Sequence, residues 1–137
     1  MAIDVYLYFD GNCLEAVNFY SEVFSAEKQK ILTFGEAPGN PQFPLPEEAK
    51  KRVIHTFLNI CGNKVMFSDT FPGSPFVIGN NISLTVMSKD IDEVKSVFEK
   101  LKESGNVKME LSETFFSKCF GSVTDKFGIL WQVGLEH

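Results

Sequence analysis

The chain has 137 residues, 44% hydrophobic and 23% charged, which suits one compact folding unit that hides about two thirds of its surface and excludes disordered and collagen-like chains. No apolar run approaches the ~20 residues that cross a bilayer, and Met1-Ala2-Ile3-Asp4 lacks the basic and apolar regions of a signal peptide, so the expectation is a cytoplasmic protein with no membrane partner. Thirteen basic against eighteen acidic residues give a net charge of −5, the wrong sign for a phosphate backbone, so nucleic acid is not expected as a partner.

Ile3, Val5, Leu7 and Phe9 alternate with Asp4, Tyr6 and Tyr8, the period of a strand with one dry face. Asp10-Gly11-Asn12 breaks the alternation, and Asn12 stands three residues before Glu15, the spacing of a helix-capping pair. Cys13, Ala16, Val17, Tyr20, Val23 and Phe24 then recur at three- and four-residue steps, predicting a helix packed on a sheet. Residues 28–34 read as a second strand. Residues 35–46 hold four of the six prolines and predict a long loop, in which Phe43 and Leu45 either cover a pocket or belong to a plain excursion.

Residues 53–60 and 64–70 are β-rich runs joined through Gly62-Asn63, a pair suited to the positive φ angles of a tight hairpin. The order then begins again. Residues 81–87 predict a strand. Asp90 with Glu93 caps a helix striped by Ile91, Val94, Val97, Phe98 and Leu101, which Gly105 stops. Residues 107–113, 119–124 and 129–133 supply three more strands, the last two joined by Asp125-Lys126-Phe127-Gly128. The chain is therefore α+β, two tandem βαβββ modules, about 1–75 and 79–134. Such modules bury their helices on one sheet face and leave the other to close around a cavity or a partner. Leu135-Glu136-His137 reads as an expression-tag remnant, which leaves His55 as the one native histidine. Cys13, Cys61 and Cys119 are odd in number and widely spaced, so a disulfide framework and a zinc knuckle are both excluded and reduced thiols are expected.

Gly11-Asn12-Cys13-x-Glu15-Ala16 with Phe19-Tyr20, His55-x-x-Leu58 leading to Met66-Phe67-Ser68-Asp69, and Thr114-Phe115-Phe116 leading to Gly121-x-x-x-Asp125-x-Phe127-Gly128-x-x-Trp131-Gln132 resemble the PhnB-like family. That family belongs to the glyoxalase/bleomycin-resistance (vicinal oxygen chelate) superfamily and is labelled 3-demethylubiquinone-9 3-methyltransferase-like. The resemblance runs from about residue 3 to 133 and implies a single glyoxalase/bleomycin-resistance/dioxygenase-like domain over 1–134, associating as a homodimer. In metal-using members it implies ligands at four strand positions, which fall near Val5, Met66, Asn81 and Gln132. Val5 and Met66 cannot ligate a hard divalent ion, so no metal and no cofactor are expected. A shifted metal site would have to draw on His55, Asp69 and Glu110. Methyl transfer is rejected, because no glycine-rich strand-to-helix turn is present to hold a nucleotide-like donor.

His55 is either hydrogen-bonded structurally or, as the native group titrating near neutrality, the acid-base candidate. With the hairpin turning at Gly62-Asn63 it shares the face of Ser68 and not that of Asp69, and a one-residue bulge would reverse this. Asp69 reads as a cap or turn acceptor, and Cys119 as a buried thiol. Phenylalanine supplies 14 of the aromatic residues, mostly core. Phe9, Phe57, Phe115, Phe116 and Trp131 sit on segments expected to line a cavity, and with Val5, Asn81 and Gln132 they form the expected ligand-binding set. The leading reading is metal-free binding of a small apolar or aromatic molecule. The alternatives are a lyase- or isomerase-type enzyme using His55 or a shifted metal, and a subunit-interaction protein with a vestigial cavity.

Overall fold

A computed structural model describes residues 1–39 and 44–137, and the chain divides into two compact units, Met1–Phe76 and Val77–His137. Phe43 of the expected pocket cover lies outside the described residues. The first unit runs β1 (Val5–Phe9), α1 (Cys13–Phe24), β2 (Leu32–Thr33), a 3₁₀ turn (Phe34–Glu36), α2 (Glu47–Lys50), β3 (Val53–Ile60) and β4 (Asn63–Asp69). Its sheet has the order β1-β4-β3-β2, with β1 parallel to β4 and the other pairs antiparallel.

Paired residues share a face and successive ones alternate. Val5, Leu7 and Phe9 pair with Val65, Phe67 and Asp69, and Phe67 stacks on Tyr20 of α1 at 5.9 Å and on Phe9 at 6.2 Å. This row therefore faces α1 and forms the core. Tyr6 and Tyr8 pair with Met66 and Ser68, and Phe57 pairs with Met66, so these residues and His55 occupy the face opposite α1.

Three local expectations change. The β3-β4 turn is centred on Cys61 (φ 52) and Gly62 (φ 80), with Ile60 paired to Asn63, one residue earlier than expected. The partner of each β3 residue shifts by two positions, so His55 keeps the face of Ser68. Asn12 makes no side-chain cap at α1. One oxygen of Asp69 accepts from the amides of Gly11 (2.8 Å) and Cys13 (3.0 Å), and the other from Val53 (2.9 Å), a cap delivered from another strand. The second strand shrinks to Leu32–Thr33 with a register break, and the Lys30 carbonyl is met by the Thr56 hydroxyl at 3.1 Å rather than by a ladder amide.

The second unit runs β5 (Ser83–Ser88), α3 (Ile91–Leu101), β6 (Asn106–Ser112), β7 (Phe120–Thr124) and β8 (Leu130–Leu135), in the order β5-β8-β7-β6. This repeats the topology of the first. Asp90 caps α3 by accepting from Asp92 at 2.9 Å, which satisfies an amide the first helical turn leaves free. The left-handed residue after α3 is Ser104 (φ 57), not Gly105. Glycine at 105 answers a different need, since a Cβ there would lie 2.5 Å from the Thr124 carbonyl oxygen. Val94, Phe98 and Leu101 pack with Val123, Trp131 and Val133 in the core. Pairing in β8 continues through Leu135, opposite Ser88, into the segment read as a tag remnant. No helix among the described residues is long and apolar enough to cross a membrane.

Candidate functional site

The face of the first sheet opposite α1 gathers Tyr6 and Tyr8 from β1, His55 and Phe57 from β3, and Met66 and Ser68 from β4. The alternation that sends Val5, Leu7 and Phe9 into the core sends the two tyrosines here. Their rings stack at 4.8 Å and 19°, and Tyr8 remains 56% exposed. The Tyr6 hydroxyl lies 3.3 Å from His55 Nδ1, and the Lys64 Nζ sits 4.8 Å above the Phe57 ring. With the phenol as donor, the stronger one of the pair, Nδ1 is the acceptor and Nε2 carries the imidazole proton. The surface can stack a flat ring and offer hydrogen-bond donors at its edges.

Of the residues singled out from the sequence, His55 and Phe57 stand on this face. Val5 and Phe9 belong to the α1-facing row, where Phe9 is 2% exposed against Phe67; they pack against the helix rather than present themselves on the tyrosine face. Trp131 is likewise 2% exposed. Its indole N–H donates to Asp125 at 2.8 Å, and the same carboxylate accepts from the Phe127 and Ile129 amides. Gln132 lies on the opposite side of the second sheet, where its Oε1 accepts from the Thr85 hydroxyl at 3.1 Å. Asn81 is exposed and precedes β5. Phe115 is fully exposed and meets Phe116 edge-on, and Phe116 packs on Phe120 at 4.8 Å. Tyr6 and Tyr8 were missed as site residues. Their signal was present, because a strand whose second row is Tyr-x-Tyr has two usable faces.

Of the positions implied by the superfamily, Met66 pairs with Tyr6 and Gln132 with Thr85, while Val5 lies on the α1-facing row and Asn81 precedes β5. Valine offers no donor atom and a thioether is a soft one, so Val5 and Met66 give a hard divalent ion nothing to bind, and the amides of Asn81 and Gln132 bring neutral oxygens without a carboxylate or imidazole beside them. Among the described residues no group of three or more His, Cys, Asp or Glu side chains is placed to hold a metal. The shifted site fails on geometry: His55 and Asp69 project from opposite faces of one sheet, and both Asp69 oxygens are taken by backbone amides. Burial, reinforced by the Asp69 charge, pushes the Cys13 thiol well above its ordinary range, so it stays protonated and unreactive.

A family model described as 3-demethylubiquinone-9 3-methyltransferase matches residues 1–134. The chain belongs to this family. It is 31% identical to protein YjdN of Escherichia coli K12, over 98% of this chain and 95% of that one. It is 32% identical to the crystal structure of PA1353 from Pseudomonas aeruginosa, with TM-score 0.87 and coverage of 99% and 98%. A putative 3-demethylubiquinone-9 3-methyltransferase, PhnB protein, from Bacillus cereus is 31% identical, with TM-score 0.80 over 99% and 100% of the two chains. At the level of fold alone, the chain resembles a glyoxylase/bleomycin resistance protein/dioxygenase domain from Frankia (12% identity, TM-score 0.68, coverage of 100% and 98%). The residues that carry the family likeness are chiefly those that hold the fold. Asp69 closes the α1 terminus, Asp125 ties the last hairpin to Trp131, Gly128 adopts φ 87, and Gly121 lies where a Cβ would stand 2.9 Å from Phe98 of α3.

Proposed function

We propose that the chain binds a small apolar or aromatic molecule, without a metal ion, on the face of the first sheet opposite α1. The observation that carries this reading is the Tyr8-Tyr6 stack beside Phe57 and Met66, an aromatic surface left partly exposed where the sequence could have placed polar residues. Aromatic rings stack in offset geometry with a gain of about 0.5–1.5 kcal/mol beyond area burial, so such a surface rewards a flat ligand. Methyl transfer does not enter the reading. The β1-to-α1 turn, where a nucleotide phosphate would seek helix amides, already holds the Asp69 carboxylate. The β5-to-α3 turn, Ser88-Lys89-Asp90, has no glycine. The protein is further proposed to act as a cytoplasmic homodimer, which three cysteines that form no disulfide and the edge strands of each sheet support.

The enzymatic alternative has one observation in its favour, the Tyr6-His55 hydrogen bond, since an oriented imidazole is the usual acid-base group. The two readings separate on one set of proteins. Binding of 2-naphthol, followed by tyrosine resonances and by melting temperature, is expected to stabilise the wild type by about 2.7 kcal/mol at a hundredfold excess over Kd. Tyr8→Ala should weaken it by about 1 kcal/mol, and His55→Ala should change it little. Metal analysis after purification without chelator should find no stoichiometric divalent ion. Turnover that vanishes with His55→Ala would install the enzyme instead, and absence of binding by any flat aromatic probe would remove the binding reading.

A further inference from the structure

We infer that the molecule this face takes is an aromatic acid, a flat ring bearing a carboxylate, rather than a neutral aromatic. This rests on the binding reading above and adds the charge of the ligand. The polar groups bordering the ring surface in β1, β3 and β4 are unequal in sign. Lys64 projects on the same side as Met66 and Ser68, with its ammonium 4.8 Å over the centroid of Phe57. Among the described residues it forms no ion pair, whereas Lys50, Arg52 and Lys102 each do. His55, with Nδ1 engaged by the Tyr6 hydroxyl, presents Nε2–H as a donor. Within β1, β3 and β4 the one carboxylate is Asp69, which points to the α1 side and is consumed by backbone amides, while Asp4, exposed just before β1 in the row of Tyr6 and Tyr8, makes no ion pair with Lys64.

The surface is therefore apolar in its middle, through Tyr6, Tyr8, Phe57 and Met66, and donor-rich at its borders. A neutral ring would use only the middle. A ring carrying a carboxylate would also place its oxygens against Lys64 or His55 Nε2–H in charge-assisted hydrogen bonds, the stronger class. On a chain whose net charge is −5, the long-range field works against an anion, so any preference for one has to come from these local groups.

The test compares two probes of matched shape, 2-naphthoate and 2-naphthamide, titrated into the full chain by calorimetry at low ionic strength, with amide resonances of β1 and β3 locating the site. The expected result is that naphthoate binds about fivefold tighter than naphthamide, the advantage of an exposed ion pair. The gap should close in Lys64→Gln and in about 0.5 M salt, because naphthoate loses more affinity than naphthamide. Lys64 is exposed, so the substitution leaves the core intact, and an unchanged melting temperature verifies this. Equal affinity of the two probes for the wild type overturns the inference and leaves the binding reading standing. Survival of the acid's advantage in both Lys64→Gln and His55→Gln overturns it as well. If neither probe binds, the binding reading falls and the inference with it.

Discussion

Asp69 brings a buried carboxylate to three backbone amides from two elements, two at the start of α1 and one at the start of β3. Hydrogen bonds to a charged acceptor are among the more valuable ones, and a buried amide left without a partner costs about 1–3 kcal/mol. Asp69→Ala is therefore expected to destabilise the chain by about 2–4 kcal/mol in urea unfolding, combining loss of a cap with orphaned amides; Asp69→Asn, which keeps one acceptor oxygen, should cost less. A loss below about 1 kcal/mol would mean that water replaces the carboxylate. The thiols offer a second residue-scale measurement. Cys61 is exposed, while Cys13 and Cys119 are buried, so iodoacetamide should label one site in the native protein and three in denaturant. The folded Cys13 has a raised pKa, so its contribution to stability is complete below the ordinary thiol value of about 9 and is lost as pH climbs past it. The stability difference between wild type and Cys13→Ala should shrink accordingly above that pH, and a difference constant to pH 11 would contradict the assignment.

At the scale of elements, the close approach of α3 to β7 depends on Gly121. A Cβ at this position would meet the Met109 carbonyl oxygen at 2.8 Å and the Phe98 ring at 2.9 Å, contacts that require the helix or the strand to move. Overpacking of this kind costs about 1–3 kcal/mol. Gly121→Ala should therefore lower the melting temperature, with Trp131 emission, buried beside Asp125, reporting the loosened second unit. Gly121→Ala combined with Phe98→Leu should recover part of the loss, because the leucine removes the ring that the new methyl meets. No recovery would place the strain at the Met109 backbone alone.

For the molecule as a whole, each unit is a four-stranded sheet with two edges, β1 and β2 in the first, β5 and β6 in the second. Unpaired edges invite association unless they are short or blocked. β2 has two residues, but β5 and β6 have six and seven. Stable dimers at micromolar concentration are the expected outcome of sedimentation equilibrium, and a species of 15.4 kDa under those conditions would refute it.

What the sequence determined by itself was whatever depends on neighbours a few residues apart. Alternation in residues 3–9, the helical stripe of α1, the Asp90 cap and the twofold order of elements are all local, and each was legible. The lack of a ligating side chain at Val5 and Met66 was legible too, because it concerns side-chain chemistry rather than position. Tertiary structure decided the rest. Asp69 lies 58 residues from Gly11, so no local pattern announces that it, rather than Asn12, caps α1. The β3-β4 turn settled on Cys61 (φ 52) and Gly62 (φ 80) rather than on Gly62-Asn63, although asparagine takes the left-handed region more readily than cysteine, so local preference did not decide it. Pairing register set Tyr6 beside Met66 and Thr85 beside Gln132. A strand shows both of its faces in the sequence, and only the helix that packs against one of them decides which row is core and which is left for a ligand.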